Sequence, residues 1–272
     1  MLLQDKLARL RRIISGYKSC VVAFSGGVDS TFLLKACSLA LPKTRILAVT
    51  AVSATYPERE LCKAREMAAK TGVRFKVVKT GELGDKRFTA NPESRCYFCK
   101  KELFSKLKVI AGRYKFASVL DAGNLSDKRD YRPGNIAARE LEVKSPLLEA
   151  RFSKEDIRKA SRLLGLPTWN KPSLACLASR IPYGIKITPG LLKRIDRAET
   201  YLSALGFAQV RLRHYQGLCR IEVEKKHLGR LLRRRKAIVE KLKDLGYNYI
   251  TLDLEGYRTG SLNEAINEKS IS

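Results

Sequence analysis

The feature that most constrains the fold is the run CVVAFSGGVDS, Cys20–Ser30. An apolar stretch, two adjacent glycines and then a hydroxyl- and carboxylate-bearing segment read as buried strand, tight turn and helix start. Such a turn brings backbone N–H groups and a helix N-terminus to one point, which suits an anion. Gly26 and Gly27 permit positive φ and close backbone approach, and Ser25 and Ser30 add hydroxyl donors. Asp29 would repel phosphate unless Mg2+ intervenes, so an acid here implies a metal-bound nucleotide. Neither G-x-x-x-x-G-K-[ST] nor GxGxxG occurs.

From Ser19 to about Asp121 the alternation continues. CVVAF, RILAVTAV, VRFKVVK and ASVLDAGN predict buried strands, and helices are expected near Thr31–Ala40, Pro57–Thr71 and Lys100–Arg113. That order argues for an α/β parallel sheet with helices on both faces. Leu3, Leu7 and Leu10 give an amphipathic first helix rather than a signal peptide. SKEDIRKASRLLG predicts another, with Ser153 as N-cap, an acidic first turn and a closing glycine. Between Pro167 and Pro189 the pattern fails in a Pro-, Ser- and Gly-rich stretch too long for an idle connection. Beyond it come helix 190–205, strands AQVRLRH and LCRIEVE, helix 228–245 and strand NYITLDL. The expected organisation is a parallel-sheet domain at 1–166, a functional linker at 167–189, a smaller C-terminal α+β domain at 190–260 and a tail at 261–272.

Lysine and arginine total 54 against 27 acids, a net charge of +27. Such an excess attracts nucleic acid, an anionic membrane surface or small phosphorylated ligands. The densest run, RLLRRRK at Arg230–Lys236, reads equally as a solvated helix face or a nucleic-acid patch. No apolar run approaches ~20 residues, so no spanning helix is expected and the cytoplasm is the plain location. The seven cysteines are therefore expected to be reduced. Cys20, Cys37, Cys62 and Cys219 read as packing residues. That leaves Cys96 and Cys99 in CYFC and Cys176 in a loop. CxxC alone fits zinc, a redox pair, an iron–sulfur ligand set or no site at all.

SGGVDS in this setting resembles the PP-loop of the N-type ATP pyrophosphatases, which adenylate a substrate oxygen and release pyrophosphate. The resemblance makes 1–166 a PP-loop ATP pyrophosphatase domain that binds ATP through Ser25, Gly26, Gly27, Asp29 and Ser30. It puts Ala48 and Thr50, in AVTAVS, beside the adenine. Gly123, Asn124, Asp127 and Asp130 would then serve ATP or Mg2+, and Arg132 a substrate anion.

Three segments, DAGNLSDKRDYRPG, KSPLLEARFSKEDIR and KPSLACLASRIPYG, resemble the LarE family of pyridinium-3,5-bisthiocarboxylic acid mononucleotide synthases. That family makes the organic part of a nickel-pincer cofactor. The resemblance implies an ATP-dependent sulfurtransferase acting on a nicotinate-derived mononucleotide with two carboxylates. Cys176 would supply the sulfur, with Asp29 serving catalysis and Ser179 and Arg180 orienting the substrate or lowering the thiol pKa. Arg211, Arg213 and His214, with Glu199 nearby, would bind the substrate phosphate. Cys96, Cys99 and Cys176 resemble the branch of the family in which three cysteines hold a 4Fe-4S cluster. An added sulfide on its open iron would then be transferred from an external sulfur donor. The competing sites are Cys3His zinc, using His214 or His227, and a thioredoxin-like pair. A homo-oligomer is also implied. The main rival is a 4Fe-4S tRNA thiolation enzyme of the same superfamily, which leaves nucleic acid open as a partner. A non-catalytic nucleotide-binding scaffold and an ammonia-using synthetase are weaker alternatives.

Overall fold

The computed structural model describes residues 2–129, 133–172, 175–258 and 261. Asp130 and Arg132, singled out above, lie outside the described residues. The chain divides into two compact units, Met1–Phe88 with Glu93–Leu174, and Thr89–Pro92 with Ala175–Ser272.

In chain order the elements up to residue 163 are α1 (Leu3–Gly16), β1 (Cys20–Ala23), α2 (Val28–Ala40), β2 (Ile46–Val52), α3 (Glu58–Thr71), β3 (Arg74–Lys79), α4 (Lys86–Thr89), α5 (Arg95–Arg113), β4 (Ser118–Leu120), α6 (Gly134–Glu140), α7 (Pro146–Glu149) and α8 (Lys154–Leu163). The four strands form one parallel sheet in the order β3-β2-β1-β4, with Cys20 opposite both Ile46 and Ser118. The order reverses beside β1, so the loop leaving its carboxyl end stands at a topological switch point, where open α/β sheets bind ligands. Both faces are covered. Val22 packs in one core with Leu10, Ile14, Phe32, Leu33 and Phe152, while Val21 packs in another with Val49, Phe104, Leu107 and Val119. Adjacent strand residues entering opposite cores explain the unbroken apolar sequence of β1.

Helix starts differ from the sequence expectation. α2 begins at Val28 rather than Thr31, so Asp29 and Ser30 lie in its first turn. α5 begins at Arg95 rather than Lys100, and CYFC is helix instead of loop. Ser94 occupies its N-cap without a side-chain hydrogen bond, so the usual capping signal is missing. The packing signal was present: Tyr97 falls one heptad before Phe104, and both join the core beneath α5. The cap of α8 is as expected. Ser153 accepts the Asp156 N–H, and Asp156 in turn accepts from Ser153 N, at 2.8 Å.

The second unit contains α9 (Pro189–Ala204), β5 (Val210–Tyr215), β6 (Leu218–Val223), α10 (Leu228–Arg233), α11 (Arg235–Asp244) and β7 (Tyr249–Leu252). Its mixed sheet runs β5-β6-β7, antiparallel then parallel. Leu192, Ile195, Leu212, Ile221, Ile238 and Leu242 are buried in this unit. The helix expected over 228–245 is interrupted at Arg234 (φ −98°, ψ 10°). The segment Thr89–Pro92 belongs here because the buried Asn91 amide donates to the carbonyls of Pro182 (2.7 Å) and Ile185 (3.0 Å). Among the described residues no helix is long and apolar enough to cross a membrane.

Candidate active site

The loop between β1 and α2 is shaped by two residues that only glycine and a small hydroxyl side chain can replace cheaply. Gly26 has φ +64°, and a Cβ there would meet Ala64 Cα of α3 at 2.9 Å. Ser30 Oγ accepts from Ser25 N (3.2 Å), stands 3.1 Å from Ser25 Oγ and donates to the Gly27 carbonyl (3.3 Å). The loop is thus pre-formed before any anion arrives.

Sequence reasoning missed three charged neighbours of this loop. Lys154, the first residue of α8, pairs with Asp29 Oδ2. Lys171 Nζ donates to the Gly26 carbonyl (2.9 Å) and pairs with Glu60 Oε2 (2.8 Å). Burial alone would raise the Glu60 carboxyl, but Lys171 and then Lys63 hold it below its ordinary value. Both lysines lie in the family-like segments quoted above; what the sequence lacked was their distance from the loop. Asp29 Oδ1 is buried and has no hydrogen-bond partner among the described residues. That leaves one carboxylate oxygen for a cation carried on a polyphosphate, so the donor set fits Mg2+.

Ala48 and Thr50 have buried side chains. Ala48 belongs to the core, and Thr50 Oγ1 donates to the Phe24 carbonyl (2.6 Å), supporting the loop from below. The partly exposed end of β2 is Ala51 and Val52, followed by Ser53. After β4, Asp121 Oδ1 accepts from Gly123 N (3.1 Å) and Ser145 Oγ (2.6 Å). Asn124 is buried and its Oδ1 accepts from Ser126 N (3.0 Å), while Asp127 Oδ2 accepts from Asn124 N (3.0 Å). These residues lock a turn at the carboxyl end of the sheet.

In the second unit Cys176 is exposed and heads a single 3-10 turn, Leu177–Arg180. Its carbonyl accepts from Ser179 N (3.0 Å), Ser179 Oγ (2.8 Å) and Arg180 Nη1 (3.1 Å). Arg180 is fully buried. Its Nε and Nη2 bind Glu199 at 2.8 and 2.9 Å, and Nη1 also holds the Ala175 carbonyl at 2.8 Å. Burial opposes both charges, yet each partner stabilises the other, so Glu199 stays below and Arg180 above its ordinary value. Ser179 and Arg180 are therefore scaffolding for the backbone that carries the thiol.

Arg211 and Arg213 share a face of β5, as strand periodicity requires. Arg213 makes a two-point pair with Glu222 (2.9 and 3.0 Å) and reaches the Ser179 carbonyl (2.7 Å). Burial and then repulsion from Arg180 lower Arg211 to about 10. His214, grouped with them above, points to the opposite face and packs on Tyr247 with ring centroids 5.8 Å apart. Successive strand residues face opposite ways, which separates its side chain from those of Arg211 and Arg213. Arg180, Arg211 and Arg213 are buried in this unit together with Glu199 and Glu222.

All seven cysteines are thiols. Cys20, Cys37 and Cys219 are buried, as expected of packing residues, but Cys62 is exposed. It lies off the buried face of α3 marked by Glu60, Ala64, Met67 and Ala68. Cys96 is exposed and Cys99 half-exposed, one helical turn apart at the start of α5. They can offer two thiolates in one direction. Among the described residues no group of three or more His, Cys, Asp or Glu is arranged to hold a metal ion.

The parallel sheet with SGGVDS between its first strand and the following helix defines a PP-loop ATP pyrophosphatase domain, here followed by a small mixed-sheet region. Residues 4–121 match the NAD synthase family. An uncharacterised protein of Synechocystis sp. is 42% identical over 97% of this chain and 99% of its own length. The pyridinium-3,5-bisthiocarboxylic acid mononucleotide synthase of Lactiplantibacillus plantarum is 35% identical over 99% of this chain and 98% of its own length. An uncharacterised protein of Methanocaldococcus jannaschii is 31% identical over 89% of this chain and 92% of its own length. The chain belongs to the family of the L. plantarum synthase.

Proposed function

We propose that the protein is an ATP-dependent sulfurtransferase that converts a carboxylate of pyridinium-3,5-biscarboxylic acid mononucleotide into a thiocarboxylate, for a nickel-pincer nucleotide cofactor. The end-to-end likeness to the L. plantarum synthase carries this reading. The pre-formed loop with Asp29 and Lys154 supports its ATP half.

A carboxylate is a poor electrophile. In the proposed reaction its oxygen attacks the α-phosphorus of ATP, the bond to the β-phosphate breaks, and pyrophosphate leaves. The loop N–H groups, the α2 N-terminus and Lys154 would hold the departing charge, with Asp29 Oδ1 toward Mg2+. The Cys176 thiolate then attacks the acyl carbon and AMP departs with the C–O electron pair. Loss of the Cys176 Cα proton with cleavage of its Cβ–S bond leaves a thiocarboxylate and dehydroalanine. Arg180 and Glu199 fix the backbone from which the thiol projects, and Arg211 and Arg213 would face the substrate phosphate. Cys96, Cys99 and Cys176 would hold a 4Fe-4S cluster, whose chemistry when bound is to accept and pass on an added sulfide, sparing Cys176.

The test is pyrophosphate release with this mononucleotide and ATP, on wild type and Cys176→Ala. Release in both, with thiocarboxylate from wild type only, is the expected result; no release with this substrate sinks the reading. Iron and acid-labile sulfide in anaerobic protein, at about four each per chain and lost in Cys96→Ala, would support the cluster. An unchanged metal content in that variant would refute it. The exposed run Arg233, Arg234, Arg235 and Lys236 favours a second reading, tRNA thiolation.

A further inference from the structure

We propose that Lys171 is a positioning residue that sets the orientation of the Gly26–Gly27 peptide, and with it the aim of the Gly27 N–H at an anion. The inference deepens the ATP-dependent reading above and rests on it.

The Gly26–Gly27 peptide is the link of the loop that side chains constrain least. Neither residue has a Cβ, so that peptide plane can rotate at little steric cost. Half a turn would exchange the places of the Gly26 carbonyl and the Gly27 N–H, because the two point to opposite sides of a trans peptide. An anion is attracted in one orientation and repelled in the other. In the structure Gly26 has φ +64° and Gly27 has φ −79° and ψ 170°. The Gly27 N–H turns toward Ser25 Oγ (3.4 Å), which stands 3.1 Å from Ser30 Oγ. It therefore shares a side of the loop with the two hydroxyls. At 3.4 Å that bond is long and holds the plane only weakly.

Lys171 holds the other side. Its Nζ donates to the Gly26 carbonyl (2.9 Å) and pairs with Glu60 Oε2 (2.8 Å). The Lys171 side chain is 17% exposed and that of Glu60 4%, so their attraction is little screened. A charge-assisted bond is about twice as strong as a neutral one, and turning the peptide over would break it. The clamp is itself anchored. Glu60 stands one turn before Ala64 on α3, the residue against which Gly26 packs. Arg158 of α8 donates to the Trp169 carbonyl (3.0 Å) and the Lys171 carbonyl (3.1 Å), and Arg162 lies over the Trp169 ring, 5.1 Å from its centroid. Lys154 of the same helix pairs with Asp29. One helix thus holds the loop at two points, directly through Lys154 and by way of Lys171 through Arg158. All of these residues belong to the first unit.

Only loops with the N–H turned inward can take an anion, and apparent affinity falls by the fraction so turned. Once bound, the anion itself holds the plane. Loss of Lys171 therefore weakens nucleotide binding and largely spares turnover at saturation. A lysine that touched the phosphates only in the transition state would do the reverse.

The experiment pairs calorimetry with Mg2+ and α,β-methylene ATP with steady-state pyrophosphate release, on full-length wild type and variants. Lys171→Met should raise the Kd for the analogue and the KM for ATP about tenfold, with kcat falling less than about threefold. Lys171→Arg should recover most of the affinity. The double variant Glu60→Gln/Lys171→Met, which leaves no buried carboxylate without its lysine, should match Lys171→Met. In 15N-glycine-labelled protein the Gly27 amide resonance, identified by its absence in Gly27→Ala, should shift in free Lys171→Met and return to the wild-type position at saturation. An unchanged Kd in both methionine variants would overturn the inference and leave the ATP reading intact. So would weakened binding with an unshifted Gly27 amide, or a kcat loss of about tenfold at unchanged KM, since either marks direct contact with the phosphates. Failure of the analogue to bind wild type would overturn both.

Discussion

Glu199→Gln removes one negative charge from the buried cluster beneath Cys176 while keeping the shape of the side chain. Glu199 is fully buried and accepts hydrogen bonds from Arg180 Nε (2.8 Å), Arg180 Nη2 (2.9 Å) and Leu212 N (3.0 Å). The glutamine oxygen can keep the Leu212 N–H, but its amide N–H groups face a guanidinium that can only donate. Arg180 and Arg211 are then left as buried cations with one carboxylate fewer. Removing one partner of such a pair costs about 3–5 kcal/mol, and the retained Leu212 bond places this variant near the lower end. Hydrogen exchange over Val210–Tyr215 reads the change where it occurs. A loss of about 3 kcal/mol should speed exchange there about a hundredfold. Fluorescence of Trp169, which lies in the first unit, supplies a separate signal. Acceleration below about fivefold, near 1 kcal/mol, would refute the reasoning. It would mean that water or a bound anion already compensates the arginines.

Three further outcomes follow from the same geometry. Gly26→Ala is expected to destabilise the first unit by about 1–2 kcal/mol from its left-handed φ alone, with more from the contact on Ala64, and to abolish nucleotide binding; urea unfolding and calorimetry read the two effects. Burial, and then Arg194, lower His214 below its ordinary 6.5, so the unfolded chain takes up the proton first. Stability should therefore fall as pH drops below about 6.5 and level off below the folded pKa, and His214→Gln should flatten that limb; an unchanged limb would contradict the assigned burial. Replacing Arg233, Arg234, Arg235 and Lys236 by glutamine should leave ATP-dependent pyrophosphate release with the mononucleotide intact. Under the tRNA reading the same change would weaken tRNA binding and shallow its salt slope by about 0.9 per lost phosphate contact on duplex segments.

The sequence by itself determined what depends on neighbours in the chain. The apolar run of β1, the glycines after it and the polar start of α2 specify strand, loop and helix locally. Ser153 with Asp156 announces the start of α8 in the same way. Periodicity also placed Arg211 and Arg213 on one strand face, and the same alternation, applied one residue further, would have separated His214 from them. Where the local signal was weak, as at the uncapped start of α5, the sequence misplaced CYFC in a loop.

Tertiary structure alone decided the partners of the charged groups. Nothing local tells Arg180 that its carboxylate is Glu199, or that Arg213 belongs to Glu222, since strand pairing and helix packing join them. Lys154 and Lys171 are 125 and 145 residues from their contacts in the phosphate loop. A lysine reads as a solvated surface charge until folding removes water from around it and leaves a carboxylate or carbonyl in its place. Ion pairing over such separations is set by topology rather than by residue type, because electrostatic attraction selects among neighbours only after the packed core has chosen them.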